Sequence, residues 1–274
     1  MSVPMIRLND GNQIPQLGFG VWRIDNNDAS KIVDEAISVG YRHIDTAAIY
    51  ENEEGVGEAI RNSGVARKDI FLTSKVWNDR QGYDETLKAC EESLKRLKTD
   101  YLDLYLIHWP VPSQDKFIET WKALVRLKED GYVRSIGVSN FRIVDLERLL
   151  FKSDIVPVLN QIELQPYFQQ DELRVFHEKH HILTEAWAPL GRGEMLDNDV
   201  LKAIAAEHGK TVAQIILRWH MEIGNIAIPK SSKRERMIEN ISIFDFNLTS
   251  QDHEKIRLLN RVDGRLGADP AVFA

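Results

Sequence analysis

Four side chains have the types and spacing to pass a proton to an oxygen that is gaining negative charge: Asp45, Tyr50, Lys75 and His108. A tyrosine hydroxyl has a pKa of about 10 and is a poor acid at neutral pH without help. An ammonium beside it stabilises the phenolate and lowers that pKa, and Lys75 can play this part. A carboxylate keeps such a lysine charged and oriented, which Asp45 can do. His108 can orient a carbonyl or share in the proton transfer. Taken singly, each residue has a plainer explanation. Asp45 can cap a helix, Lys75 can be a solvated charge, Tyr50 can pack with a wet hydroxyl and His108 can be a satisfied core histidine. Their joint placement after successive strands favours the chemical reading.

A second constellation lies near the other end of the chain. Ile228-Pro229-Lys230-Ser231-Ser232-Lys233-Arg234-Glu235-Arg236 gathers cations and hydroxyls where a strand gives way to a helix. Free N–H groups and the helix dipole add to these charges, which makes an anion site. On its own the segment reads slightly better as a solvated basic turn. The histidines show no metal-ligand spacing, and His177, His180 and His181 read as a helix end, so no metal is expected.

The elements that must position these residues alternate along the chain. Short apolar runs predict strands over Gly18–Val21, Arg42–Ile44, Ile70–Ser74, Leu102–Ile107, Ser135–Val138, Val156–Asn160, Ile182–Ala186 and Ala227–Ile228. None alternates cleanly, as expected of strands buried on both faces. Amphipathic stretches predict helices over Ala29–Val39, Asp84–Leu97, Lys116–Glu129, Val144–Phe151, Gln170–His180, Asp199–His208, Val212–Glu222 and Arg234–Ile241. Asp28 is the expected cap of the first. Gly40, Gly64, Gly131 and Gly209 sit where helices should stop. Repeated β-α units predict a closed (β/α)8 TIM barrel of the α/β class, with residues 1–274 forming a single domain. An open doubly wound sheet is disfavoured, because Gly18 and Gly20 do not open a Gly-x-Gly-x-x-Gly fingerprint. Residues 5–17 read as a β-hairpin around Asp10-Gly11 that can plug the bottom of the barrel. Arg261–Ala274 reads as an irregular tail.

In such a barrel, working residues come from the C-terminal ends of the strands. There the sequence places Asp45 and Tyr50, Lys75, His108 and Trp109, Ser139 and Asn140, Gln161, Trp187, and Lys230 with Ser231. One rim would hold them all.

Composition narrows the partners. Net charge is −7 over 274 residues, which argues against general nucleic-acid binding. The one cysteine, Cys90, reads as a small core residue and fits a reducing, cytoplasmic setting. The first residues do not read as a signal peptide. No stretch approaches the roughly 18 apolar residues of a membrane helix.

Four segments give the sequence a strong resemblance to the aldo-keto reductase superfamily along essentially the whole chain. They are Gly40-Tyr-Arg-His-Ile-Asp-Thr-Ala-Ala-Ile-Tyr50, Leu104-Tyr-Leu-Ile-His-Trp-Pro110, Ile136-Gly-Val-Ser-Asn-Phe141 and Ile228-Pro-Lys-Ser231. Within it, Asn52-Glu-Glu-Gly-Val-Gly57, Trp77-Asn-Asp79, Leu217-Arg-Trp-His220 and Arg265-Leu-Gly-Ala-Asp-Pro270 are similar to the bacterial 2,5-diketo-D-gluconate reductase group.

The resemblance implies a monomer that uses NADPH to reduce a small carbonyl compound: an aldehyde, a ketoacid or a keto sugar acid such as 2,5-diketo-D-gluconate. It implies Tyr50 as general acid, tuned by Lys75 and Asp45, with His108 orienting the carbonyl. Ser139, Asn140 and Gln161 would hold the nicotinamide amide, and Trp187 would stack on the ring. Leu190 and Gly191 would lie along the pyrophosphate, Lys230, Ser231 and Arg236 would bind the 2′-phosphate, and Glu239 and Asn240 the adenine. NADH would leave the phosphate ligands unpaired, which favours NADPH. Trp22, Trp77 and Trp109 would line the substrate pocket. Two features depart from the family's pattern. Gln165 stands where relatives commonly have histidine, and the loop Gly191–Asn198 is short, which implies an unenclosed cofactor and fast exchange. Alternatives are a broad aldehyde or methylglyoxal reductase, and a non-catalytic NADP(H)-binding sensor on the same fold.

Overall fold

Eight parallel strands neighbour one another in chain order in a computed structural model that describes residues 3–274. They are β3 (Phe19–Gly20), β4 (His43–Asp45), β5 (Phe71–Val76), β6 (Leu102–Ile107), β7 (Val133–Ser139), β8 (Leu159–Glu163), β9 (Leu183–Trp187) and β10 (Ile226–Ala227). The sheet closes on itself. Ala227 N–H donates to Gln16 O at 3.0 Å, and Gly18 N–H donates to Ala227 O at 2.9 Å. The expected barrel is therefore present. An antiparallel hairpin, β1 (Met5–Arg7) with β2 (Gln13–Pro15), precedes it. Asn9 donates to Pro157 O and His181 O, and Asn12 donates to Arg134 O. These carbonyls lie before or at the start of β7 to β9, so the hairpin covers the N-terminal end, as read from the sequence.

Ten helices are described: α1 (Asn26–Val39), α2 (Glu53–Asn62), α3 (Tyr83–Leu97), α4 (Phe117–Glu129), α5 (Ile143–Lys152), α6 (Asp171–Lys179), α7 (Asp199–His208), α8 (Val212–Glu222), α9 (Arg234–Ile241) and α10 (Ser250–Arg257). The cap of α1 is Asp25, not Asp28: its carboxylate accepts from Asn27 N–H, one turn earlier than the apolar stripe suggests. Helix α10 goes beyond the sequence reading, whereas α2 occupies the stretch expected to stop at Gly64. In α2 the glycines mark close packing, since a Cβ on Gly57 would lie 2.2 Å from Leu97 O.

Strand periodicity sorts the core. On β6, Leu104 and Leu106 join the cluster with Leu8 and Ile14 of the hairpin. Tyr105 and Ile107 face outward to the helices with Trp121 and Leu124. Cys90 lies in that outer layer, where burial and the nearby Glu53 push its thiol up to about 12, so it is inert.

Candidate active site

Several predicted strands end too early. Asp45, Lys75, Ser139, Gln161 and Trp187 belong to the strands themselves rather than to the loops after them. Each side chain finds at least one hydrogen-bond partner there, so the ladder continues through them. Lys75 is register partner to Leu106, an inward residue, and therefore points inward too. Its Nζ donates to Asp45 Oδ1 at 2.6 Å and to Thr46 O at 2.9 Å. Both side chains are buried. Burial works against the ammonium, but Asp45, Tyr50 and Glu185 around it outweigh that cost and hold its pKa above the ordinary lysine value.

Tyr50 ends a short helical turn, Ala48–Tyr50, after β4. Buried Asn52 pins this loop, accepting from Thr46 Oγ1 at 2.8 Å and donating to Val21 O and Ile24 O at 3.0 Å. Lys75 Nζ lies 5.1 Å from the Tyr50 ring centroid. Lys75 acts on Tyr50 in the expected direction, but the net shift is upward. Burial raises the Tyr50 pKa, Lys75 offsets only part of the rise, and Asp45 and Glu185 add to it. The phenol therefore stays protonated through the neutral range.

The His108 ring lies 5.7 Å from that of Tyr50, at 77° to it. Burial and the Lys75 charge hold its pKa well below 6.5, so the imidazole is neutral. Its Nδ1 is buried without a protein partner. Trp77 stands edge-on to His108 at 5.0 Å, and Trp109 stacks beside it at 6.5 Å. Phe273 packs 4.4 Å from Trp109 and 6.2 Å from Trp77, which brings the tail over this aromatic mouth. Trp22 stands apart: its exposed ring carries Arg23 at 4.2 Å and Arg192 at 5.3 Å. Arg192 belongs to the short loop after β9. That loop thus reaches the one after β3.

Ser139, Asn140, Gln161 and Trp187 form one hydrogen-bonded group. Ser139 Oγ donates to Gln161 O at 2.8 Å, and Asn140 Nδ2 donates to His108 O at 2.9 Å. Trp187 Nε1 donates to Asn140 Oδ1 at 2.8 Å, which fixes a half-exposed indole at the rim. Glu163 and Glu185 were not singled out in the sequence. Glu163 accepts from Leu266 N–H at 2.6 Å and Gly267 N–H at 2.8 Å, strapping the tail beside Trp187. A Cβ on Gly267 would lie 2.4 Å from the Trp187 ring. Gln165 also serves the tail, donating to Gly264 O at 2.8 Å.

Around the groove, Leu190 is half-buried and Gly191 buried at the start of the Arg192 loop. Lys230 and Arg236 are exposed, and no side chain caps α9 behind them. The Ser231 hydroxyl is turned to its own loop, accepting from Lys233 N–H at 3.0 Å. Glu239 accepts from Thr211 Oγ1 at 2.6 Å, while Asn240 is buried beside it. Among Lys230, Lys233, Arg234 and Arg236, the one side-chain partner among the described residues is Ser38, which accepts from Arg234. An anionic group of suitable reach would find these cations uncommitted.

The sequence profile described as Aldo/keto reductase family matches residues 16–261. The chain belongs to the aldo/keto reductase family. Membership makes this aldo/keto reductase an oxidoreductase of carbonyl compounds. It is 54% identical over 270 residues to an aldo-keto reductase of Mycolicibacterium smegmatis, covering 98% of each chain. It is 53% identical over 266 residues to the protein named glyoxal reductase in Bacillus subtilis, covering 97% of this chain and 95% of that one. Among solved structures, it superposes on an aldo/keto reductase from Brucella melitensis with TM-score 0.93 and 64% identity, covering 94% of this chain and 98% of that one. A Gox0644 variant crystallised in complex with NADPH gives TM-score 0.97 and 49% identity over 100% of both chains.

Proposed function

We propose that this aldo/keto reductase is a single-domain, monomeric, cytoplasmic enzyme that reduces small carbonyl compounds with NADPH. The observation that carries the reading is the convergence of the Tyr50 phenol, the Lys75–Asp45 pair and the neutral His108 imidazole on one rim. The groove fits the cofactor. Uncommitted Lys230 and Arg236 suit a 2′-phosphate, with Ser231 nearby, the half-exposed Trp187 indole suits stacking, and Leu190 and Gly191 line the path between. Ser139, Asn140 and Gln161 edge the nicotinamide position, and Glu239 and Asn240 the adenine position. NADPH, when bound, supplies the hydride.

The chain's own residues do the rest. Tyr50 gives its hydroxyl proton to the carbonyl oxygen, which gains charge as the carbon is reduced. Lys75 stabilises the phenolate left behind, and Asp45 keeps Lys75 charged. His108, being neutral, offers an N–H to the carbonyl oxygen and fixes its direction. Trp77, Trp109 and Phe273 exclude water from the reacting groups, with Trp22 at the outer edge of the pocket. Net charge −7 and one buried cysteine support a cytoplasmic protein without a nucleic-acid partner.

For the substrate, relatives named glyoxal reductase and methylglyoxal reductase favour short 2-oxoaldehydes over a keto sugar acid such as 2,5-diketo-D-gluconate. A panel of 2-oxoaldehydes, ketoacids and keto sugar acids ranked by kcat/KM decides between them. Absence of NADPH oxidation with every member would favour the sensor reading instead.

A further inference from the structure

Gln161 and Glu185 are register partners on β8 and β9, so both side chains enter the barrel at one level. Gln161 Nε2 lies 2.8 Å from Asp45 Oδ2 and 2.7 Å from Glu185 Oε2. An amide nitrogen carries two hydrogens, and here both are spent on carboxyl oxygens. The opposite flip would press a carbonyl oxygen against two acceptors. Gln161 Oε1 is left without a protein partner among the described residues, yet it is not among the polar atoms sealed from solvent. We infer that Glu185 is a positioning residue: with Asp45 it locks the Gln161 amide so that Oε1 offers an acceptor to the NH2 of the nicotinamide carboxamide. The inference rests on the NADPH reading above.

The charges around Glu185 suit that task. From β4 it faces Asp45 and His43, whose Nε2 is 3.6 Å from Glu185 Oε1; from β5 it faces Lys75; from β8, Gln161. Burial holds His43 neutral, with its pKa near 3. Burial and the Asp45 charge raise Glu185 to about 8, against the pull of Gln161 and Lys75. At neutral pH its carboxyl is therefore uncharged. It accepts from Gln161 without competing with Asp45 for the one buried ammonium. Asp45 serves Lys75 and Gln161 together, whereas Glu185 contacts Gln161 alone among the proposed site residues. Changing Glu185 therefore removes a hydrogen bond to the amide and none to Tyr50 or Lys75.

The test compares dissociation constants, by quenching of tryptophan fluorescence, for NADPH and for its reduced 3-acetylpyridine analogue, which has no carboxamide NH2. Loss of one hydrogen bond predicts that the wild type prefers NADPH about fivefold to tenfold. In Glu185→Ala the preference should fall below twofold. In Glu185→Gln, whose side-chain carbonyl still accepts from Gln161, it should persist. Glu185→Leu, which fills the same space, carries the comparison if the alanine variant does not fold. Equal weakening of both ligands in Glu185→Ala or Glu185→Leu, with the preference intact, would show that Glu185 only supports the barrel and would overturn the inference. A glutamine variant as indifferent as the alanine one would overturn it too. A wild type that binds neither ligand would instead remove the NADPH reading itself.

Discussion

Lys75 Nζ lies 2.6 Å from Asp45 Oδ1, and both side chains are buried inside the barrel. Removing one member of such a pair strands the other charge, at a cost of about 3–5 kcal/mol. Asp45→Asn should lower stability by that amount in denaturant unfolding and slow reduction as well. A loss under about 1 kcal/mol would mean that Lys75 finds another counter-charge, for which Glu185 is the nearest candidate.

The acid–base groups also set the pH profile. Tyr50 titrates above its ordinary value of about 10, and His108 well below 6.5. Both are neutral across the physiological range. Rates of carbonyl reduction should show no step near pH 6.5, and an alkaline loss only above about pH 10. Measuring the profile in Glu185→Gln removes the titration of Glu185 itself. A step near pH 6.5 in that variant would contradict the neutral assignment of His108.

Glu185 should appear in stability as a function of pH. Its folded pKa, about 8, lies above its ordinary value of 4.5. Between these values the folded chain holds a proton that the unfolded chain has released. The contribution is present in full below about pH 4.5 and is lost as pH rises to about 8. Glu185→Gln lacks this dependence. Its unfolding free energy relative to wild type should therefore rise from pH 5 to pH 8 and then level off. A difference that is flat with pH would show that Glu185 is ionised in the folded state.

The barrel was legible because each strand is a short apolar run and each helix a striped one. The rim was legible for the same reason, since Asp45, Lys75 and His108 interrupt those runs where a strand would be expected to stop. Strand ends were misjudged because sequence gives a charged residue no partner. Lys75 continues β5 only because Asp45, thirty residues earlier, waits inside. Glu185 was missed on that account as well. Within Leu183–Trp187 it resembles an outward-facing charge, and what makes it inward is Gln161 on the next strand. Helix α10 lacked a signal because it buries little, chiefly Asp252 and Ile256. In α2, two glycines lower the helix propensity and hide the close packing that requires them. The direction of the Tyr50 shift was hidden because the benefit of a nearby ammonium can be read from residue types, whereas the opposing cost of burial depends on depth.

The proton-donor assignment is tested most directly by Tyr50→Phe, measured both for hydride transfer in a single turnover and for NADPH binding. The account predicts that transfer slows by about 10²–10⁴-fold, while the NADPH dissociation constant stays within about twofold and the variant remains folded. Transfer within about tenfold of wild type would place the proton donor elsewhere and contradict the account.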